Sequence, residues 1–198
     1  MPTISERQKD ATKQGIYEAA VEVLTHDGLD RATMSRVAQQ AGISKGSLYN
    51  YFKDKDHLLE FVFEKTIDPL HEQIMGIVDS NAPVLEKLHG VFVTLLNYLG
   101  ERRKLFSFLL SQQALQKYIT PSCSQGPATF ALLIQQGIDD GVFRPCDTNF
   151  HATMVYGMLR AISDDYLDAE EPLEVDHIAQ QLSQFCAIGF AVSPEKVT

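Results

Sequence analysis

Along most of the chain apolar residues recur every three or four positions and nowhere alternate for long, the period of helices rather than strands. Ile16, Ala19, Ala20, Val23 and Leu24 stand at i, i+3, i+4, i+7 and i+8 and predict one apolar face of a first helix. Its start is expected at a capping box, Ser5-Glu6-Arg7-Gln8, in which Ser5 and Gln8 satisfy free N–H groups. Gly28 ends it, since glycine readily takes the left-handed conformation past a helix C-terminus. A short helix is expected over 33–40, then a turn at Gly42 and a second short helix opening at Ser44. Asp54 is placed to cap a longer helix carrying Leu58, Leu59, Val62 and Ile67, which Pro69 is expected to kink or restart. Helices over 83–99 and 102–117 are expected to meet at Gly100. After a loop from Pro121 to Pro127, another helix runs to Asp140 and stops at Gly141. The last two cover roughly 147–167 and 173–190, separated by an acidic linker from Asp168 to Pro172. The pattern predicts an all-α fold of about nine helices. An N-terminal three-helix domain, residues 1–53, is expected to precede a helical domain over 54–198.

The stretch from Met34 to Tyr51 is the most informative. Two short helices meeting at a steep angle need a tight junction. Ala38 is small where the second helix passes the first, and Gly42 sits where the turn needs a positive φ. Val37, Ala41, Ile43, Leu48 and Tyr51 supply apolar contacts between the helices. Ser44 is a good N-cap for the second helix, which then offers Lys45, Gly46, Ser47, Tyr49 and Asn50 outward while Leu48 points in. A helix presenting cationic, hydroxyl, amide and aromatic groups can hydrogen-bond base edges in a major groove. Thr33, Tyr51 and Lys55 are placed to contact phosphates, which fix position without reading sequence.

Charge at first argues against such a role, for the 198 residues carry a net −9. It is unevenly spread. Residues 1–56 hold eight Lys/Arg and eight Asp/Glu, and the remainder nine against 18. An acidic body with a neutral N-terminal reader is therefore compatible with nucleic acid, whereas a continuous coat of positive charge is excluded. At 44% hydrophobic and 22% charged the composition is that of a globular domain, not a disordered chain. No apolar run approaches the ~20 residues of a membrane span, and the polar N-terminus is not a secretory signal. Cys123, Cys146 and Cys186 are odd in number and far apart, which fits a reducing cytoplasm and neither a disulfide framework nor a zinc site.

The run GISKGSLYNYFKDKDHLL, preceded by TMSRVAQQA and an amphipathic helix, resembles the DNA-binding domain of the tetracycline-repressor (TetR) family over roughly residues 10–63. The resemblance implies base contacts from Ser35, Lys45, Gly46, Ser47 and Tyr49 and phosphate contacts from Thr33, Asn50, Tyr51 and Lys55. It also implies a regulator, usually a repressor, that leaves a palindromic operator when a small effector binds its C-terminal domain. Phe92, Leu96, Phe106, Leu110, Phe130 and Ile134 are the expected apolar lining of that site, suited to a hydrophobic or amphipathic effector. His71, His89, Tyr98, Tyr118, His151 and Tyr156 are candidates for its few polar contacts. No cofactor or metal is expected.

The last two helices are apolar beyond one stripe. Val155, Met158, Leu159, Ile162 and Tyr166 form one face, with Gly157 and Ala161 allowing close approach. Val175, Ile178, Leu182, Phe185 and Gly189 recur at three and four, widened by Cys186 and Phe190. Pairing of these helices with a second copy is expected to give a homodimer whose two readers lie about one turn of DNA, ~34–36 Å, apart. An enzyme is the first alternative, but the chain holds no HExxH, P-loop, GxSxG or dinucleotide fingerprint. A helical ligand-binding or adaptor protein without DNA binding is the second, and it leaves Lys45, Tyr49 and Asn50 without a role.

Overall fold

The computed structural model describes residues 3–111, 115, 126–168 and 174–191, with the backbone alone for Leu110 and Asp168. Among these residues there are nine helices and no strand, only an isolated bridge between Phe143 and Ala191. In chain order they are α1 (Ile4–Asp27), α2 (Met34–Gln40), α3 (Lys45–Tyr49), α4 (Lys55–Val78), α5 (Val84–Glu101), α6 (Arg103–Ser111), α7 (Gly126–Asp139), α8 (Thr148–Asp168) and α9 (Val175–Phe190). No helix among the described residues is long and apolar enough to cross a membrane.

The chain divides into two compact units. The first is built from Met1–Ile67 and Lys104–Thr120, the second from Asp68–Arg103 and Pro121–Thr198. Packing of the first thus extends past the 53/54 division expected from the motif, because Leu58, Leu59, Val62 and Phe63 of α4 bury into it, as do Leu105 and Leu109 of α6. α1 contributes its predicted face, Ile16, Ala19, Ala20, Val23 and Leu24, all buried. Its start lies two residues earlier than expected. Thr3, not Ser5, is the N-cap, with Glu6 N–H donating to Thr3 Oγ1 at 3.2 Å and Thr3 N–H donating to Glu6 Oε2 at 2.6 Å. The Thr3 N–H and the Thr3 hydroxyl, the latter donating to Glu6 Oε2 at 3.0 Å, hold the Glu6 carboxyl below its ordinary range.

In the second unit α5 is the central element, packed against α7, α8 and α9. Phe92 of α5 stacks on Phe130 of α7 at 5.5 Å between centroids. Lys87, buried on α5, donates to the Val78 carbonyl at the end of α4 (2.8 Å) and to Gln136 Oε1 of α7 (3.0 Å), so its charge is placed where the last carbonyls of a helix favour a cation. Arg103 donates through Nε and Nη2 to the Leu167 carbonyl, both at 3.3 Å, at the end of α8.

Three expected breaks fall differently. Gly100 lies inside α5 rather than between helices. A β-carbon there would sit 2.5 Å from the Tyr166 hydroxyl oxygen, so the glycine makes room for that ring. α4 does not restart at Pro69 but continues through it, because a proline removes one backbone bond and the remaining turns carry the helix on. Gly126 and Pro127 open α7 instead of belonging to the loop before it; a proline costs little in a first turn, where the N–H is unpaired anyway. Residues 121–125 of that loop, Tyr118, and 169–172 of the acidic linker lie outside the described residues.

Candidate nucleic-acid interface

α2 and α3 are both held by side-chain caps. Thr33 Oγ1 accepts from Arg36 N–H at 3.2 Å and Ser44 Oγ from Ser47 N–H at 3.0 Å. Between them the chain makes a Schellman turn. Gly42, at φ +68°, donates to the Gln39 carbonyl (3.2 Å), and Ile43 N–H reaches back to Ala38 (3.0 Å). The orphan carbonyls of α2 are thereby satisfied within the turn itself, which fixes where α3 sets out. Leu48, wholly buried, and Val37 and Ala38, nearly so, lock the two helices into the core of the first unit.

This geometry leaves one side of α3 bare. Ser44, Lys45, Gly46, Tyr49 and Asn50 are exposed and Ser47 is half-buried; on α2, Thr33 and Ser35 are exposed. The Lys45 ammonium lies 5.9 Å from the centre of the Tyr49 ring, one helical turn on. Tyr51 is half-buried, its ring packed against the core of the first unit. Lys55 is also half-buried, and its ammonium donates to the Leu29 carbonyl at 2.5 Å, so it pins the α1–α2 connection as well as offering charge. Arg36 is taken up by an ion pair with Asp27 at 2.7 Å, joining the end of α1 to α2. Sequence reasoning missed that pair, and also Arg31, an exposed cation two residues before Thr33.

A short capped helix, locked at a Schellman turn, presenting a lysine, an aromatic and an amide outward has the chemistry of a groove reader. Residues 16–62, which span α1 to most of α4, match the family described as bacterial regulatory proteins, tetR family. The chain belongs to that family. The TetR-family architecture also covers the rest of the chain. The repressor KstR2 of Mycobacterium tuberculosis is 27% identical over 188 residues, spanning 88% of this chain and 90% of the relative. Two solved structures share the fold. FadR of Bacillus halodurans superposes with a TM-score of 0.77 at 21% identity over 90% of this chain and 95% of its own. FadR of Bacillus subtilis, in complex with stearoyl-CoA, does so with 0.76 at 20% identity over 89% and 98%.

In the second unit of this TetR-family chain, Phe92 of α5 stacks on Phe130 of α7, and these two with Leu96 and Ile134 on the same helices are all at most 1% exposed. His71 on α4 and Tyr156 on α8 are half-buried. Phe106 is buried on α6, in the stretch assigned to the first unit. The Leu110 side chain lies outside the described residues. Of the other polar candidates, His89 Nδ1 pairs with Ser183 Oγ at 3.3 Å and His151 Nδ1 with the Asp147 carbonyl at 2.8 Å, while the Tyr98 ring is covered by the Arg102 guanidinium at 3.9 Å.

The expected pairing face needs correction. Val155, Leu159 and Leu182 turn into the unit's own core, as do Tyr166, Cys186 and Phe190. Burial pushes the Cys186 thiol up to about 12. Met158, Ile162, Ile178 and Gly189 are half-buried, while Phe185 and the expected close-approach residues Gly157 and Ala161 are exposed. The apolar residues that α8 and α9 turn outward are instead Phe150, Met154, Phe185 and Ile188, at 61%, 47%, 51% and 83% exposure. On α8 they continue through exposed Gly157 and Ala161, a spacing of four, three and four beginning at Phe150.

Proposed function

We propose that this chain is a homodimeric transcriptional repressor that binds a palindromic operator through α2 and α3 and is released by a hydrophobic or amphipathic effector held in its second unit. The observation that carries the reading is the capped, outward-facing α3, bearing Lys45, Gly46, Tyr49 and Asn50 on a turn locked by Gly42. The exposed apolar stripes of α8 and α9 support a second copy as partner, since a lone reader of this size binds weakly. The buried aromatic and aliphatic side chains of α5 and α7 support an apolar effector, and the stearoyl-CoA bound by the FadR neighbour is the first compound to try.

Release would be a shift of population. An effector that prefers the conformer with misplaced readers lowers operator affinity by its differential binding, typically ~1–3 kcal/mol of coupling. Of the three points where the chain passes between the units, two lie among the described residues and are candidates to carry it. α4 passes from the first unit to the second after Ile67, and α6 enters the first unit at Lys104, directly after Arg103 holds the end of α8.

Selection of bound fragments from the host genome, followed by gel shift at graded salt, tests the whole reading. Sequence-selective binding that weakens steeply with salt is expected, with selection lost in Lys45→Ala and Tyr49→Ala while the dimer persists. Retention of DNA by both variants, or no selective binding by the parent chain, refutes it. Stearoyl-CoA is expected to release the bound fragment; a compound shown to bind without changing operator affinity would refute the effector step.

Gly46 gives an independent check. Nothing in the protein needs a glycine there, because an added β-carbon would meet only Ser44 Oγ at 3.9 Å. Gly46→Ala should therefore raise protomer stability by ~0.5–1 kcal/mol through helix propensity. It should nonetheless weaken operator binding, because the methyl stands where a groove wall approaches. Thermal unfolding and fluorescence anisotropy read the two effects separately; equal or tighter binding by Gly46→Ala would contradict the docking.

A further inference from the structure

The reading face holds one side-chain pair whose geometry says more than that DNA is bound. Lys45 and Tyr49 are both exposed, four residues apart on α3, and the ammonium lies 5.9 Å from the ring centre. Stacked base pairs are ~3.4 Å apart along each strand. The two groups are therefore closer than two stacking intervals, and a duplex that meets one meets the other on the same or the adjoining base pair. Chemistry then narrows the pair of bases. An ammonium donates three hydrogen bonds and accepts none. In the major groove guanine alone offers two adjacent acceptors, O6 and N7, whereas adenine sets a donor amine beside its N7 and thymine has a single O4. With the ammonium resting against one face, the Tyr49 ring keeps its opposite face and its C–H edge for apolar contact, its one polar group being the hydroxyl at the ring's tip. The only apolar group that unmodified bases present in that groove is the C5-methyl of thymine.

We infer that Lys45 and Tyr49 act as one unit that reads a guanine beside a thymine in each half of the operator. The inference rests on the DNA-binding reading above and names what that face selects. The pairing also makes the two contributions interdependent. A cation over an aromatic face is weakly attracted in water and more strongly once water is excluded, so closing the groove over the pair strengthens the contact and holds each group for its base.

The test uses the full-length protein and duplexes selected from a randomised library, so no prior operator is assumed. Every selected half-site is expected to contain adjacent guanine and thymine at one fixed position. Replacing that guanine by 7-deazaguanine, which removes N7, should weaken binding about 10-fold. Replacing the thymine by deoxyuridine, which removes only the methyl, should weaken it a few-fold, about 3- to 5-fold. Lys45→Met and Tyr49→Leu should each weaken binding, and the double variant should lose at least about 5-fold less than the product of the single losses. Tyr49→Phe, which keeps the ring, should preserve that non-additivity. Selective binding with no guanine–thymine step, indifference to both base analogues, or strictly multiplicative losses would overturn the inference while leaving the DNA-binding reading intact. Failure of the parent chain to select any sequence would overturn both.

Discussion

Gly137→Ala should destabilise the second unit by up to about 2 kcal/mol, although alanine is the better helix former. Gly137 lies in α7, and a β-carbon there would fall 2.1 Å from Cδ2 and 2.4 Å from Cε2 of Phe143. The ring has little room to retreat. Phe143 is 2% exposed and packs edge-on against Phe190 at 5.5 Å, which in turn meets His151 at 5.5 Å. Its backbone is held too: Phe143 N–H donates to the Gly137 carbonyl at 2.8 Å, and Arg144 N–H to the Phe190 carbonyl at 2.8 Å. The helix ends in a second Schellman turn, with Gly141 at φ +72° donating to Ile138 and Val142 to Gly137. Overpacking costs typically ~1–3 kcal/mol, from which the ~1 kcal/mol propensity gain of alanine is to be subtracted. The sign of the effect is therefore a property of the ring. In a Phe143→Ala background, itself costing ~3–5 kcal/mol, the added methyl fills vacated space and Gly137→Ala should be neutral or stabilising. Urea unfolding of the four proteins in this cycle decides the matter. A cost of the same sign and size in both backgrounds would remove Phe143 as the cause.

How much of this was legible in advance depends on the range over which each feature is determined. The helix-turn-helix was readable because its determinants are local. Thr33 and Ser44 cap within three residues of themselves, and Gly42 closes its turn on Gln39 and Ala38. The face of α1 was readable because a single stripe on an otherwise polar helix has one way to turn. Competition defeated the capping box. Thr3 with Glu6 and Ser5 with Gln8 satisfy the same spacing in overlapping registers, and the carboxylate, with a full charge to offer the N–H groups, took the cap. Gly100 was misread because nothing near it in sequence announces Tyr166, which comes from α8. The α8 and α9 faces were misassigned for a related reason. Helices apolar on more than one side do not say which side meets their own core, and the heavier aliphatic stripe went inward, leaving Phe150, Met154, Phe185 and Ile188 outside. The effector lining was not readable from the pattern alone, since a phenylalanine in a buried run serves a core and a cavity wall equally.

The second large effect concerns those outward side chains. Met154→Glu combined with Ile188→Glu should convert the protein to a monomer of unchanged helix content and lower operator affinity at least about 100-fold. Both residues are exposed in the single chain, at 47% and 83%, so charging them disturbs no internal packing. In a dimer that covers α8 and α9, each carboxylate would instead be buried against an apolar surface, which costs several kcal/mol without a compensating partner. By symmetry each substitution is felt twice. The affinity loss follows from linkage alone: two joined readers face the second half-site at an effective concentration near the millimolar range, and separated readers lose that advantage with α3 untouched. Val155→Glu supplies the contrast. Val155 is 1% exposed within its own unit, so charging it should unfold the protomer rather than dissociate a dimer. Sedimentation, circular dichroism and operator titration of these variants separate the outcomes. If Met154→Glu with Ile188→Glu still sediments as a dimer, the pairing surface lies elsewhere; if it is a monomer that binds the operator as tightly as the parent chain, a single α3 suffices and the palindrome is unnecessary.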